Sequence, residues 1–179
     1  MTGVAGILLT PGASAGRDSP ALVAVEAAVA PLPVVRMDLS SGRKPAALVQ
    51  AVAEEAESFA ASLGVGPEAL VLGGRSMGGR MCSMAVAGGL PAAGLVLLSY
   101  PLHPPGRPEK LRTEHLPDVR VPCLFVSGTK DPFGTPDELQ AATALVAGPV
   151  THHWLEGAGH APRTHAAVAA VVAGWVAAL

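Results

Sequence analysis

The chain has 179 residues, of which 50% are hydrophobic and 15% charged, and its formal net charge is -2 at pH 7. This length predicts one domain over residues 1–179 with its own hydrophobic core, and the composition excludes a disordered protein. The small net charge argues against a nucleic-acid partner, and no apolar run approaches the roughly 20 residues that span a bilayer, so we expect no membrane partner.

Along the chain, short aliphatic runs alternate with alanine-rich segments of helical character. The aliphatic runs predict strands at residues 4–10, 34–39, 69–72, 94–100, 121–127 and 150–155. The segments between them predict helices at 20–30, 45–63, 77–87, 136–146 and 162–179. This alternation is typical of an α/β protein in which helices cover both faces of a parallel sheet.

One connection cannot hold a helix long enough to cross the sheet. Residues 101–120 include Pro101, Pro104, Pro105, Pro108 and Pro117, which limit the segment to one short helix, predicted at 109–116. Ordered loops of this length are commonly functional. We therefore expect residues 101–120 to lie over the sheet edge.

The N-terminal residues and the cysteines bear on the cellular compartment. No basic residue precedes Arg17, and Pro11 and Gly12 interrupt the short first apolar run, so we expect no signal peptide and a cytoplasmic location. Cys82 and Cys123 lie in apolar segments and are not spaced as metal ligands, which predicts two buried hydrophobic residues.

A glycine-rich segment, residues 73–80, joins the third predicted strand to the third helix. Within it, Gly74, Ser76 and Gly78 match the G-x-S-x-G pattern of a nucleophile elbow, a sharp turn that exposes the serine. The Met77 N–H, at the start of the helix, would then face a developing oxyanion. The pattern predicts Ser76 as a nucleophile.

A serine nucleophile requires a histidine base and a carboxylate that orients the histidine. Asp131 follows the fifth predicted strand, and His160 follows the sixth. Because ligands bind beyond the carboxyl ends of parallel strands, both side chains are expected near Ser76. The order Ser, Asp, His along the chain is also that of the α/β-hydrolase fold.

Other acidic residues and histidines fit this chemistry less well. Asp38 is interpreted as a turn residue, while Asp118 and Asp137 lie in a loop and at a helix start. His152 and His153 are adjacent in a strand and point to opposite faces, so they do not predict a metal site. We expect neither a metal nor a cofactor.

The second oxyanion donor is predicted in the loop after the first strand. Pro11 has no N–H, which leaves the Ala13 N–H as the predicted donor and the Ser14 side chain as the alternative. Arg75 and Arg80 flank the serine, where each could meet an anionic substrate group or pair with a carboxylate. The candidates for substrate binding are Ser14, Arg75, Tyr100, His103, Phe133 and Thr135.

Four segments, residues 9–13, 73–80, 100–106 and 125–134, together resemble the small, lidless α/β-hydrolase-fold proteins related to dienelactone hydrolase. The resemblance spans nearly the whole chain and implies serine-hydrolase machinery, although dienelactone hydrolases have cysteine at the position of Ser76. It implies a minimal α/β-hydrolase fold with about six parallel strands in the order 2-1-3-4-5-6. The two leading antiparallel strands and the cap domain of the usual fold are expected to be absent.

These features predict hydrolysis of a carboxylic ester or a related acyl bond, in an open, shallow site suited to small acyl substrates. Some eukaryotic members of this family resemble non-catalytic subunits, so one alternative is an interaction protein that binds a partner through residues 101–120. A second alternative is an acyltransferase that uses the same acyl-enzyme. The sheet edge left bare by the missing strands is a candidate homodimer surface.

Overall fold

The computed structural model describes residues 3–40 and 42–179. Its centre is one six-stranded sheet made of β1 (Gly6–Thr10), β2 (Val34–Arg36), β3 (Leu70–Arg75), β4 (Gly94–Leu98), β5 (Cys123–Gly128) and β6 (Val150–Leu155). All neighbouring strands are parallel. Their order, β2-β1-β3-β4-β5-β6, confirms the predicted order.

In the described residues, five α-helices cover the sheet: α1 (Pro20–Val29), α2 (Pro45–Ser62), α3 (Met77–Ala87), α4 (Pro136–Thr143) and α5 (His165–Val176). Residues of α1 and α5 share one hydrophobic cluster, and residues of α2, α3 and α4 share another. Helices on both faces of the sheet are thus confirmed. None of these helices combines the length and apolarity needed to cross a membrane.

The alternation of side chains along each strand divides the core into two layers. In β1, Ile7 and Leu9 belong to the cluster beneath α1 and α5, while Leu8 belongs to the cluster beneath α2 and α3. All three are fully buried, and burying one such side chain contributes roughly 1.5–3 kcal/mol. Helices cover both faces of the central strands, so side chains on both faces are buried. This explains why these strands are continuous apolar runs in the sequence.

The two cysteines lie in the layer beneath α2 and α3. Cys82 and Cys123 are free and buried, as predicted. Burial raises the pKa of each thiol to about 12. Both therefore stay protonated and act as small hydrophobic residues at neutral pH.

The bounds of several predicted elements differ from the structure by one to three residues, among them the end of β2 and the start of α5. β2 ends at Arg36 rather than at residue 39: the Met37 N–H still donates to the Leu9 carbonyl at 3.0 Å, and the Asp38 carboxylate then accepts the Arg17 N–H at 2.7 Å. α5 begins at His165 rather than at residue 162, because Thr164 has φ −83° and ψ 53°, outside the helical region.

The long connection between β4 and β5 also differs in detail. Its short helix is a single 3₁₀ turn at Leu116–Asp118 rather than a helix over 109–116. A bond from the Arg112 N–H to the Leu102 carbonyl, 2.9 Å long, instead closes residues 102–112 into a loop with turns at 105–106 and 108–109. Leu102, Leu116 and Val119 are buried, so the connection is packed against the core. No cap domain is present in the described residues.

Candidate active site

Ser76 lies between the last residue of β3 and the first residue of α3. Ser76 has a φ of 51° and a ψ of −118°. Residues other than glycine seldom adopt such a positive φ. The Ser76 N–H donates to the Leu98 carbonyl of β4 at 2.8 Å, and the Arg80 N–H donates to the Ser76 carbonyl at 3.1 Å. The sheet and the first helical turn thus hold this strained residue from both sides.

The close approach of β1 requires glycine on both sides of the serine. A Cβ at Gly74 would collide with the Thr10 hydroxyl and carbonyl oxygens, and a Cβ at Gly78 would collide with the Pro11 carbonyl oxygen. The Thr10 hydroxyl also donates to the Gly73 carbonyl at 2.9 Å. The two glycines therefore allow the loop after β1 to pack against the turn that carries Ser76.

The loop after β6 brings His160 to Ser76. The His160 Nε2 lies 2.8 Å from the Ser76 Oγ. The His160 ring stacks on Phe133, with ring centroids 4.0 Å apart. The His160 carbonyl accepts a hydrogen bond from Arg75 Nη2 at 3.0 Å. The contact of Phe133 with the ring and the bond of Arg75 to the backbone carbonyl thus both hold His160 beside Ser76.

Asp131 lies on the other side of the imidazole, in the loop after β5. Its Oδ2 and Oδ1 lie 2.9 and 3.0 Å from His160 Nδ1, and Oδ1 also accepts the Phe133 N–H at 2.8 Å. The carboxylate is buried, with 1% of the side chain exposed. The Lys130 N–H donates to the Ala158 carbonyl at 2.9 Å, which ties the loop after β5 to the loop after β6.

These contacts define what the three side chains can do. With Asp131 ionised, the His160 Nδ1–H donates to the carboxylate and Nε2 is left to accept the Ser76 hydroxyl proton. An arrangement of this kind can activate the hydroxyl and stabilise the imidazolium that forms.

The predicted oxyanion donors border the same space. Met77 is the first residue of α3, where a helical N–H has no partner within its own helix. The Ala15 N–H donates to the Gly12 carbonyl at 3.1 Å, which forms a turn around Ala13. A Cβ built at Gly12 would lie 3.7 Å from the Ser76 Cβ, so this turn lies against the serine. Ala13 and Met77 therefore both lie beside Ser76 at the same cleft.

A cleft of about 510 Å³ opens at this edge of the sheet. Of the predicted site residues, those that line it are Ala13, Ser14, Arg75, Ser76, Met77, Phe133 and His160. Its volume is within the range of small-molecule sites.

Residues 4–169 match the family model described as an alpha/beta hydrolase domain. The chain belongs to the alpha/beta hydrolase family. This membership confirms the predicted fold and the resemblance to small α/β-hydrolase-fold proteins. It also agrees with the strand order and with the sharp turn at Ser76.

Solved structures with the same fold include a protein named Est1E, a dienelactone hydrolase and an esterase domain. Est1E from Butyrivibrio proteoclasticus has a TM-score of 0.81 at 14% identity, with 99% of this chain and 89% of that chain covered. Dienelactone hydrolase from Anabaena variabilis has a TM-score of 0.76 at 18% identity, covering 98% and 87%. The esterase domain of a Rhodothermus marinus protein has a TM-score of 0.72 at 17% identity, covering 98% and 87%.

Three predicted substrate-binding residues do not line the cleft of this alpha/beta hydrolase: Tyr100, His103 and Thr135. Tyr100 is 2% exposed, and its ring packs edge-to-face on Phe125 with centroids 5.6 Å apart. It follows β4 with its side chain in the layer beneath α2 and α3. Burial raises the pKa of its hydroxyl to about 12.

His103 and Thr135 support the start of α4 instead. Thr135 is the N-cap: its hydroxyl accepts the Glu138 N–H, while the Glu138 carboxylate accepts the Thr135 N–H at 2.9 Å. His103 is buried with its Nε2 3.4 Å from the same carboxylate. The bonds from Thr135, followed by His103, hold the pKa of Glu138 below its usual range. The capping-box spacing of Thr135 and Glu138 was the sequence signal for this role.

Other residues line the cleft that the sequence did not indicate. Arg43, Pro45 and Leu48 come from the start of α2 and the loop before it, and Pro101 and Arg112 come from the long connection. No local pattern marks these positions, because their place at the cleft depends on how distant segments pack. The helical spacing of four residues does indicate that Arg80 and Ser76 share a face of α3, and Arg80 also lines the cleft.

Asp38 and His152, which the sequence did not assign to the site, have other partners. Asp38 is mostly exposed and pairs with Arg17. His152 stacks between Phe125 and Trp154. In residues 3–40 and 42–179, no group of three or more histidine, cysteine, aspartate or glutamate side chains is arranged to hold a metal ion. That the protein uses neither metal nor cofactor stays a prediction.

Proposed function

We propose that the protein is a serine hydrolase that cleaves a carboxylic ester or a related acyl bond through an acyl-enzyme. One observation carries the proposal: His160 Nε2 is 2.8 Å from Ser76 Oγ while its Nδ1 is 2.9 Å from Asp131 Oδ2. This chain of contacts has the roles that serine nucleophilic catalysis requires.

In the first half of the proposed reaction, Ser76 Oγ attacks the ester carbonyl carbon and His160 Nε2 takes the hydroxyl proton. The carbonyl oxygen becomes an oxyanion, which the Met77 and Ala13 N–H groups stabilise. When the intermediate collapses, the bond to the leaving alcohol breaks and the alcohol takes the proton from His160. The acyl group is then bonded to Ser76.

In the second half, water attacks the acyl carbon and gives a proton to His160. The same oxyanion donors stabilise the second intermediate. Collapse breaks the bond to Ser76 Oγ, which regains its proton from His160, and the carboxylic acid leaves. Throughout, Asp131 stays ionised and stabilises the imidazolium. An open cleft admits the water that this step needs, which favours hydrolysis over transfer to another acceptor.

Membership of the alpha/beta hydrolase family supports hydrolase activity. The esterase domain from Rhodothermus marinus supports esters as the first substrates to test. Est1E has also been solved with ferulic acid bound, so methyl ferulate belongs in the test panel beside short acyl esters.

The interaction-protein alternative uses residues 101–120 as a partner surface. Pro101 and Arg112 of this segment line the cleft, and Leu102, Leu116 and Val119 are buried. These contacts favour a role of residues 101–120 in lining the cleft over a role in binding a partner. The cytoplasmic location, the absence of nucleic-acid and membrane partners, the homodimer and the single domain stay predictions.

The test is to label Ser76 with a fluorophosphonate and to assay p-nitrophenyl esters of short acids together with methyl ferulate. We expect labelling and turnover by the wild type and neither by Ser76→Ala. Circular dichroism checks that both proteins are folded. A folded wild-type protein that neither labels nor hydrolyses would contradict the proposal and favour the interaction-protein alternative. Equal labelling of Ser76→Ala would show that another residue is the nucleophile.

A further inference from the structure

In the described part of the chain, arginine is the one residue type with a permanent charge that lines the cleft. Arg43, Arg75, Arg80 and Arg112 line it, and no aspartate or glutamate of the described residues does. The whole chain carries a net charge of -2, so this concentration of positive charge is local. A cleft lined by one sign of charge attracts ligands of the opposite sign.

Arg75 already has a partner in the fold. Its Nη2 donates to the His160 carbonyl at 3.0 Å, and its Nη1 would lie 3.7 Å from a Cβ built at Gly12. Arg75 therefore bridges the loop after β1 and the loop after β6. This role explains its position without a ligand.

In the described residues, neither Arg80 nor Arg112 forms a side-chain hydrogen bond that joins two loops in this way. The Arg80 Nε is buried with no hydrogen-bond partner among the described residues. Within residues 3–40 and 42–179, the Arg112 side chain donates only to the Pro101 carbonyl, at 3.4 Å from its Nη1. In residues 3–40 and 42–179, neither guanidinium has a carboxylate oxygen within 4.0 Å. Glu114, on the same connection as Arg112, is exposed.

The two guanidinium groups also repel each other. Partial burial, followed by the charge of Arg80, lowers the pKa of Arg112. The charge of Arg80 likewise opposes protonation of His115, whose pKa burial lowers to about 4. Two neighbouring cations in a partly buried site are unfavourable unless an anion binds between them.

We propose that Arg80 and Arg112 bind an anionic group of the substrate, so that the preferred esters carry a second group that is a carboxylate or a phosphate-type anion. This inference rests on the proposed hydrolase function. Guanidinium groups bind such anions through paired hydrogen bonds. Arg80 lies one helical turn after Ser76, and helical side chains cover the preceding turn, so its charge acts close to the reacting hydroxyl.

The apolar lining between the charges fits a short aliphatic or aromatic spacer. Leu48 and Met81 line the cleft with the arginines. A space of about 510 Å³ is large enough for a small acid ester.

The test uses pairs of esters in which one member is anionic and the other neutral, with the rate for a dimethyl ester halved because it has two ester groups. Monomethyl succinate, glutarate and adipate carry the anion on the acyl side, and their dimethyl esters are neutral. The ω-phosphonate analogue of monomethyl adipate distinguishes a phosphate-type anion from a carboxylate. A further pair, meta-acetoxybenzoate and meta-acetoxybenzamide, carries the charge on the leaving group. Release of methanol or phenol gives kcat/KM for each ester.

We expect the wild type to prefer the charged member of at least one pair by about ten- to a hundredfold, which charge-assisted hydrogen bonds supply. Arg80→Gln and Arg112→Gln should each remove most of this preference, measured as the ratio of kcat/KM for the charged and the neutral member of a pair. Arg107→Gln is the matched control: Arg107 lies on the same connection, pairs with Glu109 and does not line the cleft. Should Arg80→Gln fail to fold, Arg112→Gln tests the same anion site.

A binding measurement separates this inference from the hydrolase proposal. Calorimetry on Ser76→Ala with adipate and with inorganic phosphate needs no turnover, and binding that Arg112→Gln abolishes supports the anion site even if no ester is hydrolysed. Labelling of Ser76 combined with equal kcat/KM for both members of every pair overturns the anion site and leaves the hydrolase function standing. Absence of turnover together with absence of adipate and phosphate binding overturns both.

Discussion

His160 Nε2 lies 2.8 Å from Ser76 Oγ, although the two residues are 84 positions apart in the chain. The contact exists because β3 and β6 are parallel strands of one sheet whose carboxyl ends face the same edge. Each residue is then fixed locally, Ser76 by the turn into α3 and His160 by Phe133 and Asp131. The hydrogen bonds that join Ser76, His160 and Asp131 thus depend on the short loops that follow β3, β5 and β6.

Replacement of Asp131 by asparagine should lower kcat for p-nitrophenyl acetate by about 10,000-fold. The amide can donate to His160 Nδ1, which leaves the proton on Nε2 and prevents that atom from accepting the Ser76 proton. Stopped-time assays at high enzyme concentration measure the residual rate. Asp137→Asn, on the exposed first turn of α4, is the control and should retain full activity. An Asp131→Asn enzyme with wild-type kcat would show that another carboxylate orients the histidine.

Phe133→Ala should lower kcat/KM by up to about tenfold, the value of one aromatic contact. The ring stacks on His160 at 4.0 Å between centroids and limits its tilt, whereas the Phe133 N–H bond to Asp131 does not depend on the side chain. Steady-state kinetics on p-nitrophenyl acetate measures the change. Phe133→Tyr keeps the ring and should behave like the wild type. If both variants were equally impaired, stacking would not be the cause.

Gly78→Ala and Gly174→Ala should shift stability in opposite directions. A Cβ at Gly78 would collide with the Pro11 carbonyl, and we expect a loss of about 1–3 kcal/mol in the free energy of unfolding. Gly174 lies inside α5 with nothing within 4 Å of an added Cβ, so alanine there should add roughly 0.5–1 kcal/mol through helix propensity. Urea unfolding monitored by circular dichroism compares the two. A stable Gly78→Ala protein would mean that the loop after β1 can move away from α3.

His115→Gln should make the free energy of unfolding less sensitive to acid. His115 Nε2 lies 2.8 Å from Ser83 Oγ, and burial, followed by the charge of Arg80, lowers the pKa of His115 to about 4. Between about pH 6.5 and pH 4, the unfolded chain therefore binds a proton that the folded protein does not, so the wild type loses stability as the pH falls. Allowing for solvent screening, this loss is roughly 1–2 kcal/mol.

Urea unfolding at pH 7 and at pH 4.5 measures this effect. The wild type should lose more stability over that interval than His115→Gln, whose glutamine does not titrate. Between pH 7 and pH 8 the difference between the two proteins should stay constant, since the histidine is neutral in both states. An identical pH dependence from pH 7 to 4.5 would exclude His115 as the source.

Sequence patterns predicted much of the fold and the placement of Ser76, Asp131 and His160. Their geometry follows from local rules: apolar runs form strands, glycines permit the turn, and parallel strands direct their following loops to one edge. The sequence also predicted Tyr100 and His103, which follow β4, as candidates for substrate binding. Both are buried away from the cleft, because the direction of a side chain depends on packing rather than on its place after a strand.

The sequence by itself determined the alternation of strands and helices, the turn at Ser76 and the loops that carry Asp131 and His160, since periodicity and turn chemistry are local properties. Only the tertiary structure decided what surrounds them. Arg112 reaches the cleft because the Arg112 N–H bonds to Leu102 and the connection packs on the core. It thereby lies near Arg80, 32 residues earlier in the chain. Long-range packing alone brings these two charges together, because no local pattern relates them.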